Sequence, residues 1–335
     1  MTAARSAPYG LILAPNWLGD AIMSLPAVRA LRAAAPPSRW TVAARASLAP
    51  VYELARLGVG VVALPERGAP RIVPRPETAI LFPNSFHAAL LALRSGARRR
   101  IGYAGQWRSH LLRPEIARAA RGALPGHESF QYLELLRRAG LIEALPDEAG
   151  LYVPLHPDPE AVAQWRQRFA GERVIAIHAG ATFGGAKRWL PERFAALAAA
   201  LVAQGAQVAM IGSGAERTLA QQLAAAAGAP ERVLNFAGDT TLEELAALLA
   251  AAQALVANDS GPMHLAAAVG TPVVALFGST NERETYPVAL PGRLRLLKAP
   301  GVACSPCKLR ECPIDHRCMT RIEVADVLRA LAEVA

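Results

Sequence analysis

Short apolar runs without a polar break recur along this chain: "YGLIL", "WTVAAR", "VGVVALP", "TAILFP", "RVIAIH", "AQVAMIG", "ALVAND" and "VVALFG". A strand with one wet face alternates polar and apolar residues, so runs like these belong to strands covered on both sides. Between them lie stretches of helical spacing, among them "AIMSLPAVRALRAAAP", "FHAALLALRSG", "SFQYLELLRRAGL", "PERFAALAAALVAQG" and "ERTLAQQLAAAAG". Strand and helix in turn predict an α/β protein built on parallel, doubly wound sheets. The alternation breaks once, at "LPDEAGLYVPLHPDPEAV", whose prolines and acids read as a linker. With 335 residues there is room for two cores. The predicted domains are therefore 1–157 and 158–335, each a Rossmann-like sheet, with "EVADVLRALAEVA" as a terminal helix. Apolar runs stay well below the roughly eighteen residues of a membrane span, and "MTAARSAPYGLILAPNWLGD" reads as strand and loop, not as a signal peptide. A cytoplasmic location is the expectation.

The formal net charge of +9 favours anionic partners: nucleic acid, an anionic membrane surface or a phosphorylated substrate. The densest basic stretch runs from Arg94 through "ARRRIGYAGQWRSHLLR" and holds Arg98, Arg99, Arg100 and Arg108. A nucleic-acid-binding surface would interleave such charges with aromatic stacking platforms. Only Tyr103 and Trp107 lie nearby, so nucleic acid is not expected. Cys304, Cys307, Cys312 and Cys318, with His316 among them, have ligand-like spacing in "CSPCKLRECPIDHRC". Disulfides are disfavoured in the cytosol, which leaves a structural metal or reduced thiols open.

Doubly wound sheets bind ligands at the carboxyl ends of their strands, and four such ends carry polar residues. In "NWLGD", Gly19 suits a tight turn and Asp20 stands at the mouth of the next helix, either to cap it or to take a proton from an attacking hydroxyl. In "HAGATFGGAKRWLPERF", small residues after His178 let backbone approach a ligand, while Thr182, Lys187 and Arg188 supply a hydroxyl and two cations. This suits a diphosphate, although the ending of a P-loop is missing. "IGSGAE" offers Gly-x-Gly without the third glycine of a dinucleotide fingerprint, and leaves Glu216 to meet a ribose or lie in solvent. In "NDSGPMHLAAAVGTPVVALFG", Ser260 is the expected N-cap, Pro262 fits a first helical turn, and Gly270 with Pro272 stops the helix. The helix start beside Asp259, Ser260 and His264 suits an anion.

The stretches "NWLGDAIMSLPAVRAL", "LFPNSFHAALL", "RRIGYAGQWR", "HAGATFGGAKRWLPERFAALA" and "NDSGPMHLAAAVGTPVVALFGSTN" together resemble the ADP-heptose:lipopolysaccharide heptosyltransferases of glycosyltransferase family 9. The likeness spans nearly the whole chain. It implies the GT-B fold, two Rossmann-like domains facing across a cleft, with the acceptor on the first and ADP-heptose on the second. It implies inverting transfer of L-glycero-D-manno-heptose from ADP-heptose to the inner core of lipopolysaccharide. Within the family, "FPNSF" with "GGAKRW" points to the members that add the second heptose; members with another acceptor are the alternative.

By the same resemblance the catalytic residues are Asp20 as base, Lys187 at the donor phosphates and Asp259 near the sugar. Ser260, Gly261 and His264 complete the donor-binding stretch, Thr182 and Glu216 fall at phosphate and ribose, and Thr240 lines the adenine side. The acceptor implied is Kdo-lipid A or heptosyl-Kdo-lipid A. Arg98, Arg99, Arg100 and Arg108 would meet its anionic groups, with peripheral contact at the cytoplasmic leaflet of the inner membrane. The resemblance implies no cofactor and no divalent metal beyond the ADP-heptose donor. An oxidoreductase or epimerase would need a full dinucleotide fingerprint or a Tyr-x-x-x-Lys pair, and the chain has neither. A non-catalytic nucleotide-binding module is the rival from a different class, and an Asp20→Ala variant separates it from an enzyme.

Overall fold

The computed structural model describes residues 9–34, 39–65, 75–105, 107–120 and 122–335. The first eight residues of the stretch read as strand and loop lie outside these. The chain divides into two units, Met1–Val153 and Pro154–Ala335.

The first unit runs β1 (Tyr9–Leu13), α1 (Leu18–Ala34), β2 (Arg39–Arg45), α2 (Ala49–Leu54), β3 (Gly60–Leu64), β4 (Thr78–Leu81), α3 (Phe86–Arg94), β5 (Arg99–Tyr103), β6 (Glu115–Ile116) and α4 (Ser129–Arg138). Its strands lie in the order β3-β2-β1-β4-β5-β6, and their ladders are parallel. Chain direction across the sheet reverses between β1 and β4, the position at which such sheets open a crevice at their carboxyl edge. Ser85 caps α3 by accepting the Ala88 N–H at 3.2 Å, and the small face Ala88, Ala89 and Ala92 packs into the cluster of Leu11, Leu13, Leu81 and Leu112. Alanines on that face let helix and sheet approach closely without voids.

The second unit runs α5 (Pro159–Arg168), β7 (Val174–His178), α6 (Pro191–Ala203), β8 (Gln207–Met210), α7 (Arg217–Ala226), β9 (Val233–Asn235), α8 (Leu242–Ala251), β10 (Ala254–Asn258), α9 (Gly261–Ala268), β11 (Val273–Phe277), α10 (Glu282–Thr285), β12 (Leu294–Lys298), α11 (Arg317–Thr320) and α12 (Val324–Val334). Its order, β12-β11-β10-β7-β8-β9, repeats the winding of the first, with the reversal between β7 and β10. The core holds Ile175, Ile177, Phe194, Leu197, Val208 and Met210 together with Val327 and Leu331 of the terminal helix. Trp189, 1% exposed, stacks edge-on to Phe194 with ring centroids 5.0 Å apart and donates its indole N–H to the Ile322 carbonyl. That anchor fixes the chain two residues after Lys187.

The structure departs from the sequence reading at three places. The supposed linker contains the start of α5, because Asp158 caps it by accepting the Glu160 N–H and Pro159 fits its first turn. The basic stretch conceals β5, whose first residue Arg99 is exposed while the next four are buried. Gly19 turns nothing; it lies inside α1, and the Trp17 carbonyl accepts the first helical bond from Ala21 N–H at 2.8 Å.

Candidate active site

Every donor-side residue expected from the sequence follows one of four neighbouring strands of the second unit. Thr182 and Lys187 follow β7, Glu216 follows β8, Thr240 follows β9, and Asp259, Ser260, Gly261 and His264 follow β10. Since the sheet is parallel, all eight stand on its carboxyl edge, on either side of the reversal between β7 and β10. The loop after β7 is held from two directions. Asn258, fully buried, donates to the Ala179 carbonyl at 2.8 Å and accepts from the Trp189 N–H at 2.9 Å, tying both ends of the loop to β10. From the other side comes the cysteine-bearing segment. The Ala186 N–H donates to the Arg310 carbonyl and the Gly185 N–H to Glu311 Oε1, both at 2.9 Å, and His316 Nε2 meets the Ala186 carbonyl at 3.0 Å. A Cβ on Gly184 would lie 2.3 Å from the Arg310 carbonyl, so a glycine is required for this docking.

That contact gives the cysteine segment a role that its spacing did not suggest: it braces the diphosphate-type loop. Ser305 Oγ donates to the Gly278 carbonyl at 2.7 Å and the Lys308 N–H to the Ser279 carbonyl at 2.7 Å, which anchors the brace to the end of β11. Cys304 is exposed, Cys307 and Cys312 are half-buried, and Cys318 is buried, with burial first and the neighbouring thiols second raising its pKa. Among the described residues, no three His, Cys, Asp or Glu side chains converge as a metal site.

Lys187 Nζ lies 2.7 Å from Asp259 Oδ2, with side chains 13% and 4% exposed. Thr280 also donates to that oxygen. The Phe183 ring covers the amine at 5.1 Å from its centroid. The pair stands at the start of α9, where Pro262 brings no N–H and the Met263 N–H donates to the Ser260 carbonyl at 3.2 Å, which leaves the Ser260 and Gly261 amides at the positive end of the helix. An amine and the amides of Ser260 and Gly261 are thereby presented at one strand end, an arrangement that can neutralise a diphosphate.

Ser260 occupies the N-cap position but its hydroxyl makes no cap bond. It donates instead to the Asn258 carbonyl at 2.9 Å and meets His178 Nδ1 at 3.0 Å, because the buried ring competes for it. Glu216 neither lies in solvent nor stands alone. Its Oε2 accepts from Ser213 N–H and Oγ, each at 2.8 Å, and lies 3.5 Å from His178 Nε2. Burial pushes its carboxyl up, but the bonds and charge of His178 and the Ser213 donors outweigh burial and hold it down to about 2. Thr240 is half-buried, and Thr241 next to it caps α8 through a reciprocal bond with Glu244. The Gly238 N–H donates to the Gly212 carbonyl at 2.9 Å, packing this loop against the Glu216 turn. His264 is buried on α9. Asn258, Thr280 and His178 were not singled out as functional from the sequence; for Asn258 and His178 the signal was a polar residue closing an apolar strand, whereas Thr280 lies in the loop after β11.

In the first unit Asp20 lies in the opening turn of α1, half-buried, at the carboxyl edge reached from β1. Burial raises the phenols of Tyr52 and Tyr132, and the Asp20 charge adds to both, which places its carboxylate near the two rings. The arginine cluster does not hold together. Register pairs Gly10 with Thr78 and Thr78 with Arg99, so Arg98 and Arg99 stand level with the amino end of β1. They are about 10 Å of strand, plus a loop, from the edge that carries Asp20. Arg100 and Arg108 are buried. Arg100 donates to the Leu111 and Ala97 carbonyls, Arg108 to those of Tyr103 and Asn84 and to the Asn84 side chain. Their guanidinium groups hold loops, so of the four arginines expected to form one surface only Arg98 and Arg99 are exposed. Exposed cations on the Asp20 edge include Arg45, which closes β2, and Arg118 after β6; the Arg118 guanidinium lies 5.3 Å from the Tyr103 ring centroid and its charge acts on Tyr132 as Asp20 does, with opposite sign.

The family described as glycosyltransferase family 9 (heptosyltransferase) matches residues 75–317. Lipopolysaccharide heptosyltransferase 2 of Escherichia coli K12 is 32% identical over 306 residues, which cover 85% of this chain and 86% of that protein. Lipooligosaccharide heptosyltransferase 2 of Haemophilus influenzae is 32% identical over 301 residues, covering 83% and 86%. Among solved structures, the E. coli ADP-heptose lipopolysaccharide heptosyltransferase II superposes with a TM-score of 0.81 at 27% identity, covering 97% of this chain and 98% of that one.

Proposed function

Since the chain belongs to glycosyltransferase family 9, the heptosyltransferases, we propose that it moves L-glycero-D-manno-heptose from ADP-heptose onto the heptosyl-Kdo region of the lipopolysaccharide inner core, adding the second heptose. The fold is GT-B, and the enzyme is a glycosyltransferase. The observation that carries the donor reading is the buried Lys187–Asp259 pair at the start of α9, in a loop built of small residues and braced on both sides.

The second unit takes the donor. The ribose lies toward Glu216, the adenine toward Thr240, and the diphosphate toward Thr182, Lys187 and the amides of Ser260 and Gly261, with Asp259 and His264 flanking the sugar. Asp20 of the first unit serves as base. As the acceptor oxygen bonds to the anomeric carbon, its proton passes to the Asp20 carboxylate. The bond from that carbon to the β-phosphate oxygen breaks and ADP leaves with the electron pair. The sugar passes through an oxocarbenium-like state, and attack opposite the leaving group inverts the centre. Charge gathers on the departing diphosphate, where Lys187 and the helix start stabilise it without a divalent ion. Arg118, on the Asp20 edge, meets an acid group of the acceptor.

Among the described residues no helix is long and apolar enough to cross a membrane. The reading makes the enzyme cytoplasmic, working on an acceptor at the inner leaflet. The test is incubation with ADP-heptose and a set of truncated lipopolysaccharide acceptors, with and without chelator, reading product mass and linkage. A heptose added to heptosyl-Kdo-lipid A, undiminished by chelator, is expected. Transfer only to unheptosylated Kdo-lipid A would overturn the second-heptose reading, and no transfer to any acceptor would overturn the activity.

A further inference from the structure

We propose that His178 is a positioning residue for donor binding: lying beneath the site, it holds Glu216 and Ser260 at once and couples the ribose side to the phosphate side. The inference rests on the donor assignment above. His178 closes β7 and is only 4% exposed, so it acts through its neighbours and not on the ligand. The proton inventory fixes its role. The single hydroxyl proton of Ser260 goes to the Asn258 carbonyl at 2.9 Å, so the 3.0 Å contact with His178 Nδ1 is donated by the ring. With Nδ1 turned to Ser260, Nε2 faces Glu216 Oε2, 3.5 Å away, so the one ring stands between the hydroxyl and the carboxylate.

The chain has made room for this arrangement. A Cβ on Gly180 would fall 1.6 Å from Glu216 Oε1 and 3.1 Å from His178 Nε2, and one on Gly212 would fall 3.0 Å from Glu216 Oε2. Both strand-end turns are thus cleared for one carboxylate, which Ser213 then fastens with its N–H and hydroxyl. The result is a continuous line, Ser213–Glu216–His178–Ser260–Asn258, across the carboxyl ends of β7, β8 and β10. Asn258 continues it into the glycine-rich loop through the Ala179 carbonyl. Loosening the ring releases both ends of the donor seat together.

Three variants test this: His178→Gln, Gly180→Ala and the double variant His178→Gln/Glu216→Gln, each compared with Glu216→Gln. Calorimetry with ADP and steady-state transfer kinetics are measured on the full chain. His178→Gln is expected to raise both the ADP dissociation constant and the donor KM about tenfold, as loss of a hydrogen bond to a charged group does. Acceptor KM should stay unchanged and kcat should move less than about threefold. Gly180→Ala should produce the same donor-selective rise by displacing the carboxylate while the ring remains. Adding Glu216→Gln to His178→Gln should cost no more than about twofold further, since both act in one network. Unaltered ADP affinity in both His178→Gln and Gly180→Ala would overturn the proposal, as would single effects that multiply in the double variant. If His178→Gln unfolds, Gly180→Ala decides. Wild-type protein that binds no ADP would bring down the donor assignment itself; wild-type binding with unaltered variants would bring down the relay alone.

Discussion

Replacing Lys187 with methionine removes the ammonium while keeping most of the packing of its stem. The pair it breaks is tight, 2.7 Å between Nζ and Asp259 Oδ2, with the acid 4% exposed. Breaking a buried ion pair costs about 3–5 kcal/mol, mainly through the charge left stranded. Here Thr280 still donates to Asp259 and the start of α9 keeps its partial positive charge beside it. The expected loss is therefore smaller, about 2–3 kcal/mol, a fall in Tm of about 4–12 °C for a unit of this size. In Lys187→Met/Asp259→Asn no charge is stranded, and stability should return to within about 1 kcal/mol of the parent, so that with the cost of Asp259→Asn alone added the coupling is at least about 1–2 kcal/mol. Catalysis should behave differently. If the amine faces the leaving diphosphate, Lys187→Met lowers kcat about 10²–10³-fold, and the double variant stays as slow. Urea unfolding followed by circular dichroism reads the first effect, and single-turnover heptosyl transfer reads the second. Strictly additive stabilities would refute the pair as a coupled unit, and undiminished turnover in a folded Lys187→Met protein would refute its catalytic role.

Asp20→Asn should lower turnover about 10²–10⁴-fold, the range for a general base, with ADP affinity unchanged by calorimetry; normal turnover would remove Asp20 as base. Arg118→Ala should raise acceptor KM several-fold more than Arg98→Ala or Arg99→Ala, about 1 kcal/mol or more for a charge-assisted contact, and the opposite ranking would return the acceptor to the amino edge. Glu216 is held down to about 2 from an ordinary 4.5, so its stabilisation is complete above pH 4.5 and is lost as pH falls toward 2. Glu216→Gln should therefore be less stable by up to about 3 kcal/mol near neutrality and unfold with a shallower slope between pH 4.5 and 2. Parallel acid-unfolding curves for the two proteins would contradict this.

Much of the fold was legible because hydrophobic pattern is local. Runs such as "VVALF" must be covered on both faces wherever they lie, and stretches such as "FAALAAALVA" must show one face to a sheet. β5 escaped because arginines open it and a glycine interrupts it, so charge masked a strand that is buried from its second residue onward. α5 escaped because its cap, its proline and the acids of its first turn look like linker composition. That the polar residues expected at the donor site lie on one edge was legible, since each follows a strand and a parallel sheet brings strand ends together.

What the chain determines residue by residue is therefore the winding of two parallel sheets and the identity of the polar groups at their carboxyl edges. Tertiary structure alone decides which of those groups meet. Whether Arg99 stands level with Gly10 or with Asp20 depends on register between strands remote in sequence, and whether Arg108 is a ligand contact or a loop tie depends on which carbonyls surround it. The same holds for His178: its ring is visible in the sequence, but its two partners come from the ends of two other strands, β8 and β10, and only packing brings them to 3.0 and 3.5 Å from it.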